Sequence, residues 1–324
     1  MDGETPYTDK AQPRPMSATE TLAVCDQAQT ARLLDYPTLL DAVRDAMIEY
    51  TAGKIASPER LVVPMQQGVM LSMPAVADDL VAHKLITVVP ANTGRGLPTI
   101  NGQVTVLDAV TGRTLALLDG PEVTGRRTAA VTMLGIRTCL PHAPREILMY
   151  GTGTQARHHV RAIAAIFPDA RLLVRGTSLA IAEAFCNEMR ETFPNAVPAD
   201  PLRIPETVDA VITVTTSLEP VYDEVGRPGR VVVGVGAFKP EMAEIGKATL
   251  DASTIYVDDP VGVSVEAGDL MRAGVDWNTV IPLATAFGQT PDFSRPIVVK
   301  SVGTAAWDLA ASRVAVANLM RAAG

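Results

Sequence analysis

The sequence is poor in cysteine and lacks any concentration of positive charge. Its 324 residues include three cysteines, Cys25, Cys139 and Cys186, which are widely spaced and form no C-x-x-C pair. Such usage is typical of free thiols in a reducing compartment, so we expect neither disulfides nor structural zinc. The formal net charge is −8, and no block of about five or six consecutive lysines and arginines occurs. We therefore expect no nucleic-acid partner.

Long apolar runs are also missing. The longest, such as VVVGVGAF at 231–238, are far shorter than the roughly 20 residues that a membrane span requires. The N-terminal segment is polar and has neither the apolar core of a secretory signal nor the arginine-rich pattern of a transit peptide. We expect a cytoplasmic protein without a membrane span, with a disordered tail at 1–16.

Hydrophobic residues make up 47% of the chain and charged residues 20%, as in ordinary globular proteins. Helical spacing of apolar residues predicts a helix at 36–53, and short β-rich segments between 60 and 120 predict a mostly antiparallel sheet. A helical stretch at 120–140 follows. Strand and helix patterns alternate beyond residue 146. The fold class predicted is α/β, with a doubly wound parallel sheet of the Rossmann type.

A glycine motif marks the start of this alternation. Gly151, Gly153 and Ala156 form G-x-G-x-x-A between a predicted strand, 146–150, and a predicted helix. In a dinucleotide site the first glycine permits the tight turn, the second lets the backbone approach a pyrophosphate, and the third small residue lets the helix lie close to the strand. The alternative is an ordinary glycine turn.

The end of the next strand predicts which nicotinamide nucleotide is bound. An NAD-selective site places an acidic residue there, whereas this strand ends in LLVRGTS. Arg175 can pair with a 2′-phosphate, with Thr177 and Ser178 as further donors, so NADPH is expected to be preferred and NADH remains possible. A solvated arginine is the alternative. Thr215 and Thr216 are weaker candidates for the nicotinamide side, because strand threonines often serve packing.

Three cations lie in the β-rich first part of the chain: Arg60, Lys84 and Arg127. Lys84 is flanked by apolar strand residues, where a buried and unpaired ammonium would be costly, so we expect an anionic group beside it. An outward-facing lysine on an edge strand is the alternative. In a regular strand the adjacent His83 faces the opposite side, so only one of the two can line a site.

Other polar residues have simpler interpretations. His158 and His159 are expected to face solvent or to pack at the sheet edge, because adjacent helical residues cannot both aim at one metal. The acidic pair in VDDP, 257–260, is typical of a turn or cap. We expect no metal site.

Several segments together resemble the ornithine cyclodeaminase/mu-crystallin family over nearly the whole chain after about residue 20. They are the stretch from HKLITVVPANTG to VTMLG at 83–135, YGTGTQA at 150–156, VGVGAFKPEMAEI at 233–245 and KSVGTAAWDLAASRVAVANL at 300–319. The resemblance implies a homodimer, a substrate-binding and dimerisation domain of 17–130 with 300–324, and an NAD(P)-binding domain of 131–299.

The resemblance also implies roles for particular residues. Lys84 matches the usual catalytic lysine, Arg60 and Arg127 match arginines that hold the substrate carboxylate, and Thr99 matches a position near the nicotinamide. The full set of residues expected to bind the cofactor is Thr99, Arg127, Gly151, Thr152, Gly153, Thr154, Gln155, Ala156, Arg175, Thr177, Ser178, Thr215, Thr216, Val235, Gly236 and Gly303.

One departure from the family pattern bears on the reaction. Cyclodeaminases and related alanine dehydrogenases carry an aspartate where this chain has Phe238. A phenyl ring cannot transfer protons, so the resemblance is closest to the family's ketimine reductases, which act on cyclic imino acids, and Phe238 is expected to contact the ring. We expect a cationic pocket poor in acid/base carboxylates. The alternatives are another enzyme of the family, of the cyclodeaminase or alanine dehydrogenase type, or a non-enzymatic NADPH-dependent binder like mu-crystallin.

Overall fold

The structure is a computed structural model that describes residues 22–323, so the tail predicted at 1–16 lies outside the described residues. The described residues form two β-sheets. A continuous apolar core extends from the helices beside the first sheet to one face of the second. Among the described residues, no helix is both long and apolar enough to cross a bilayer.

The first sheet is six-stranded and mostly antiparallel, as the β-rich segments predicted. Its strands are β1 (Ala23–Val24), β2 (Leu61–Met65), β3 (Gly68–Val76), β4 (Leu80–Val88), β5 (Ile100–Asp108) and β6 (Thr114–Asp119). They lie in the order β1-β6-β5-β4-β3-β2, with the β1–β6 pair parallel. Strand β4 lies between β3 and β5 and alternates strictly, so that Ala82, Lys84 and Ile86 are buried.

The second sheet is eight-stranded and parallel, which confirms the predicted Rossmann-type architecture. Its strands are β7 (Glu146–Tyr150), β8 (Arg171–Arg175), β9 (Ala196–Pro198), β10 (Val208–Thr213), β11 (Val231–Gly234), β12 (Thr254–Val257), β13 (Ile281–Pro282) and β14 (Ile297–Lys300). Their order is β13-β12-β14-β11-β10-β7-β8-β9. The chain winds outward from β7 to β9 and resumes on the other side at β10, so a topological switch point lies at the carboxyl ends of β7 and β10.

Helices connect or cover the strands of both sheets. They are α1 (Gln27–Leu33), α2 (Tyr36–Thr51), α3 (Gly120–Cys139), α4 (Thr154–Ile166), α5 (Leu179–Met189), α6 (Lys247–Asp251), α7 (Pro260–Glu266), α8 (Gly268–Ala273) and α9 (Ala305–Ala323). Helix α9 leaves the second sheet and packs on α2, β3 and β4 of the first. Helix α3 contacts both α4 and β5, so it links the two halves.

Side-chain caps explain where several helices begin. Asp35, Asp119 and Ser178 accept hydrogen bonds from backbone N–H groups in the first turns of α2, α3 and α5. Each cap satisfies a donor that the helix leaves unpaired. Asp259 caps α7 in the same way, which confirms that the VDDP segment forms a cap.

Of the two placements expected for His158 and His159, at the solvent or packed at the sheet edge, exposure to solvent is wrong. Both lie on α4 where it packs on α3, and they are 3% and 0% exposed. A Cβ added at Gly125 of α3 would meet the His158 ring at 2.2 Å, which shows how closely the helices approach. His159 Nε2 lies 2.9 Å from Thr132 Oγ1. Burial lowers the pKa of each imidazole to about 4, so both are neutral structural groups at neutral pH.

Candidate active site

The glycine-rich turn lies at the carboxyl end of β7. Gly151 has φ +120°, and a Cβ there would meet the carbonyl oxygen of Val214 at 2.5 Å. A Cβ added at Gly153 would meet nothing within 4 Å, and no side chain caps α4 at this residue. Ala156 is fully buried beneath the turn. The first N–H groups of α4, at Thr154 and Gln155, therefore border open space that suits a pyrophosphate.

The end of β8 places Arg175 beside the exposed Thr177 and Ser178. Its guanidinium lies 5.3 Å above the Tyr150 ring and donates to the Tyr150 hydroxyl at 2.7 Å. Two further hydrogen bonds go to the carbonyl oxygen of Asp200, at 2.6 and 3.0 Å. Arg175 is therefore held rigidly at the end of β8, where the sequence predicts that the adenosine half of a dinucleotide binds.

A buried carboxylate that the sequence analysis did not identify binds donors at the carboxyl ends of β10 and β11. Glu244 is 0% exposed and accepts hydrogen bonds from Thr213 Oγ1 at 3.0 Å and from the N–H groups of Thr215 and Gly236, each at 2.5 Å. A fourth comes from Ala237 N at 3.2 Å. Two of the expected cofactor-binding positions thus have their N–H groups occupied within the protein. They shape the crevice instead of donating from the backbone.

Lys84 and Arg127 meet a buried carboxylate on the first turn of α9. Lys84 Nζ lies 2.7 Å from Asp308 Oδ2, and Arg127 Nε lies 3.2 Å from Asp308 Oδ1. Lys84 is 1% exposed, Arg127 6% and Asp308 0%. The anionic group expected beside Lys84 is therefore the carboxylate of Asp308. His83 faces the other side of β4, where its Nε2 lies 2.8 Å from Ser72 Oγ.

The surroundings of Lys84 lower its pKa toward neutral pH. Burial is the largest influence and lowers the pKa of the ammonium, and the charges of Arg127 and Arg60 lower it further. The Asp308 carboxylate opposes them, and the resulting pKa is about 8. A lysine with such a pKa is protonated at neutral pH and readily gives up its proton.

Arg60 approaches from the segment before β2. Its Nε lies 2.8 Å from Glu266 Oε1 on α7, and its NH2 donates to the Gly303 carbonyl oxygen at 2.7 Å. Burial raises the pKa of Glu266 to about 7, with Arg60 acting in the opposite direction. The expectation of a pocket poor in carboxylates is thus wrong, because Asp308 and Glu266 each pair with its cations. Both lie far along the chain from those cations, so no local pattern indicated them.

The loop between β14 and α9 fixes this group. The buried carboxylate of Asp258 accepts from Ser301 Oγ at 2.8 Å, from the N–H groups of Val302 and Gly303 at 3.1 and 3.0 Å, and from Trp307 Nε1 at 3.1 Å. Gly303 has φ +75°, and a Cβ there would meet Arg127 NH1 at 2.3 Å. Glycine is required because the guanidinium lies directly against the backbone.

Thr99 and Phe238 lie in loops outside this ion-paired group. Thr99 Oγ1 is 3.2 Å from Thr93 Oγ1 and half-buried, and Phe238 is 39% exposed after β11. Their roles beside a nicotinamide and a substrate ring stay predictions. The same holds for Thr216, which is exposed, and Val235, which is buried.

Taken together, the doubly wound sheet, its open glycine turn and the buried lysine define a dinucleotide-dependent oxidoreductase. Residues 20–321 match the model of the ornithine cyclodeaminase/mu-crystallin family, and the chain belongs to that family.

Proteins with assigned activities resemble the chain over nearly its whole length. It is 57% identical over 301 residues to a Delta(1)-pyrroline-2-carboxylate/Delta(1)-piperideine-2-carboxylate reductase of Azospirillum brasilense, covering 93% of this chain and 97% of that one. It is 54% identical, with the same coverage, to Delta(1)-pyrroline-2-carboxylate reductase 2 of Burkholderia ambifaria. The structure of Thermococcus litoralis Delta(1)-pyrroline-2-carboxylate reductase with NADH and L-proline matches with a TM-score of 0.81 at 25% identity, covering 93% and 98% of the two chains.

Glu244→Gln tests the buried carboxylate at the crevice. The amide would turn an N–H group toward donors that now share two carboxylate oxygens, so we expect a loss of about 2–4 kcal/mol in the free energy of unfolding. Urea denaturation followed by circular dichroism measures it. Glu241→Gln is the matched control, since Glu241 lies on the same loop with its side chain 62% exposed. Equal stability of the two variants would show that Glu244 does not hold the crevice together.

Proposed function

We propose that this protein reduces cyclic imino acids with a nicotinamide nucleotide, converting Δ1-pyrroline-2-carboxylate to L-proline and Δ1-piperideine-2-carboxylate to L-pipecolate. The observation that carries the proposal is the buried Lys84, paired with Asp308 and flanked by two arginines, in a chain 57% identical to a reductase of that specificity. A preformed cyclic imine needs a proton at nitrogen, a clamp on its carboxylate and a hydride at C2. The first two match groups that this chain brings together.

In the proposed complex Arg127 and Arg60 pair with the substrate carboxylate and fix the ring. Bidentate guanidinium–carboxylate pairing orients a small substrate strongly, and orientation of this kind lowers the barrier by several kcal/mol. Lys84 donates its proton to the imine nitrogen, directly or through a water molecule. Its pKa of about 8 suits this step, because the ammonium predominates at neutral pH and is a stronger acid than an ordinary lysine side chain. Phe238 provides an apolar contact for the unsubstituted ring.

For the cofactor, the residues expected from the sequence fit a dinucleotide at the switch point. The pyrophosphate would lie against the turn at Gly151 and Gly153 and the first N–H groups of α4, and the nicotinamide would supply hydride on the side of Thr99 and Gly303. We propose that NADPH is preferred over NADH. In support, Arg175 stands at the end of β8 with the exposed hydroxyls of Thr177 and Ser178 beside it, and no acidic side chain occupies the position of a ribose-binding aspartate.

An absorbance assay at 340 nm tests both parts of this proposal. Each cyclic imine, pyruvate with ammonia, and ornithine would be offered separately with NADPH and with NADH. We expect nucleotide oxidation with the imines, at a higher kcat/KM with NADPH. Oxidation with pyruvate and ammonia alone would indicate an amino-acid dehydrogenase, and ammonia release from ornithine a cyclodeaminase. No turnover with any substrate would indicate a ligand binder.

Lys84→Met tests the proton donor. The thioether is similar in length and carries no proton, so we expect kcat to fall by about 10²–10⁴-fold while NADPH binding, measured by protein fluorescence, stays nearly unchanged. Lys54→Met changes an exposed lysine in the same way and serves as the control. Parallel loss of turnover and NADPH binding in the Lys84 variant would show that the role of Lys84 is structural.

We also propose a homodimer formed through the edge of the first sheet. All five residues of the edge strand β2 are exposed, and Leu61, Val62 and Met65 present apolar side chains that are 59%, 50% and 45% accessible. An apolar edge strand of this kind is normally covered in a native protein.

Val62→Lys tests the interface by placing a charge in it. We expect a shift from dimer to monomer in sedimentation velocity, because an ammonium buried without a partner would weaken association. Val110→Lys is the control, since Val110 is 85% exposed at the turn between β5 and β6. A monomeric wild type, or a dimer unaffected by Val62→Lys, would contradict this interface.

A further inference from the structure

The contacts of Asp308 single it out from the other acidic residues. Its two oxygens bind different cations from different elements: Oδ2 lies 2.7 Å from Lys84 Nζ on β4, and Oδ1 lies 3.2 Å from Arg127 Nε on α3. The side chain is 0% exposed. Solvent therefore does not screen these two ion pairs, and each is correspondingly strong.

The charges around Lys84 are unbalanced without Asp308. Its neighbours across the sheet are the apolar Met73 on β3 and Val104 on β5. The charged groups that act on it are Arg127 from α3, Arg60 from the segment before β2, and Asp308 from α9. Burial and both guanidinium groups favour the neutral amine, and Asp308 alone among these neighbours favours the ammonium. Only the ammonium form is acidic enough to protonate an imine nitrogen, so a neutral Lys84 could not act as the proton donor.

Asp308 also fixes the direction of Arg127. Within residues 22–323, Arg127 donates a hydrogen bond to Asp308 through Nε. Its NH1 lies against the Cα of Gly303. Within the described residues neither terminal nitrogen donates a hydrogen bond to the protein, so both remain available as a fork for a carboxylate. One side chain thus sets both the charge of the proton donor and the orientation of the proposed clamp.

We propose that Asp308 is the positioning residue of this active site, which holds Lys84 as an ammonium and orients Arg127 toward the substrate carboxylate. This inference rests on the proposed function. The reduced nicotinamide would be oxidised as its hydride adds to C2. The π pair of the C=N bond would move to nitrogen and take a proton from Lys84 Nζ, which is left as the neutral amine. Solvent returns a proton to Nζ after product release.

The pH dependence of kcat/KM distinguishes this role from simple structural support. The ammonium is the active form, so wild-type kcat/KM should fall as pH rises through the pKa of Lys84, which is about 8. In Asp308→Asn the amide keeps the shape but removes the charge. We expect this high-pH limb to move down by at least about one pH unit, with kcat/KM at pH 8 reduced at least about fivefold and partly restored at lower pH.

Two further variants complete the experiment. Asp308→Glu keeps the charge at an altered distance, so its kcat should fall while the high-pH limb stays near the wild-type position. Asp79→Asn removes another aspartate that pairs with α9, through Arg313 at 2.8 Å near the surface, and should leave the profile unchanged. NADPH binding and the thermal unfolding midpoint verify that each variant is folded.

The possible outcomes distinguish the positioning role of Asp308 from the proposed reductase activity. Equal loss at every pH in Asp308→Asn, with the limb unmoved, would overturn the positioning role while the reductase activity stands. If Asp308→Asn fails to fold, Asp308→Glu decides, since a limb displaced well below that of wild type would overturn the role. A wild type that reduces neither cyclic imine would refute the proposed function itself.

Discussion

The burial of Lys84 together with Asp308 and Arg127 is the constraint on which the rest of the structure depends. Removing three charged side chains from water is costly, and the cost is offset only where the ion pairs are short and the remaining polar atoms are satisfied. The partners come from β4, α3 and α9, which are distant in the chain. The last helix must therefore return from the second sheet to the first, and its packing on α2 and β4 places Asp308 within 2.7 Å of Lys84.

The loop before α9 connects this charged group to the nucleotide-binding sheet. Asp258 follows β12 of the second sheet and receives the N–H groups of Val302 and Gly303. The carbonyl oxygen of Gly303 in turn receives Arg60, and its Cα lies against Arg127. A single short segment therefore contacts the carboxyl edge of the second sheet at one end and both arginines at the other. This continuity is consistent with the apolar core, which is not divided between the sheets.

Most of the fold was predictable because its signals are local. The six longer strands of the second sheet are nearly continuous apolar runs bounded by turn residues, and they form the alternation that the sequence predicts beyond residue 146. The outer strands β9 and β13 have three and two residues, too few for a periodic signal. The sequence left the imidazoles of His158 and His159 either at the solvent or packed at the sheet edge, because their neighbours come from a distant helix. On α4 the close approach of α3 at Gly125 buries them instead.

The site was predictable only in part, for a physical reason. The cost of burying an ammonium indicates that Lys84 needs an anion, but a lone aspartate in an alanine-rich helix gives no local sign of being that anion. Glu244 and Glu266 were missed for the same reason, since each meets its partners only through the tertiary fold. The division into domains at 130 and 299 stays a prediction. Helix α3 spans the first of these boundaries, and its residues contact both sheets.

The two carboxylates of the site hold its arginines in different ways. Asp308 is fully buried between two cations, so Arg127 has one fixed orientation. Glu266 pairs with a single cation near Asp258, Asp259 and Glu59, whose negative charges add to burial in raising its pKa to about 7. Near neutral pH a fraction of Glu266 is therefore protonated, which weakens its ion pair with Arg60. In the proposed complex, a substrate carboxylate would meet a prepositioned Arg127 and would share Arg60 with Glu266.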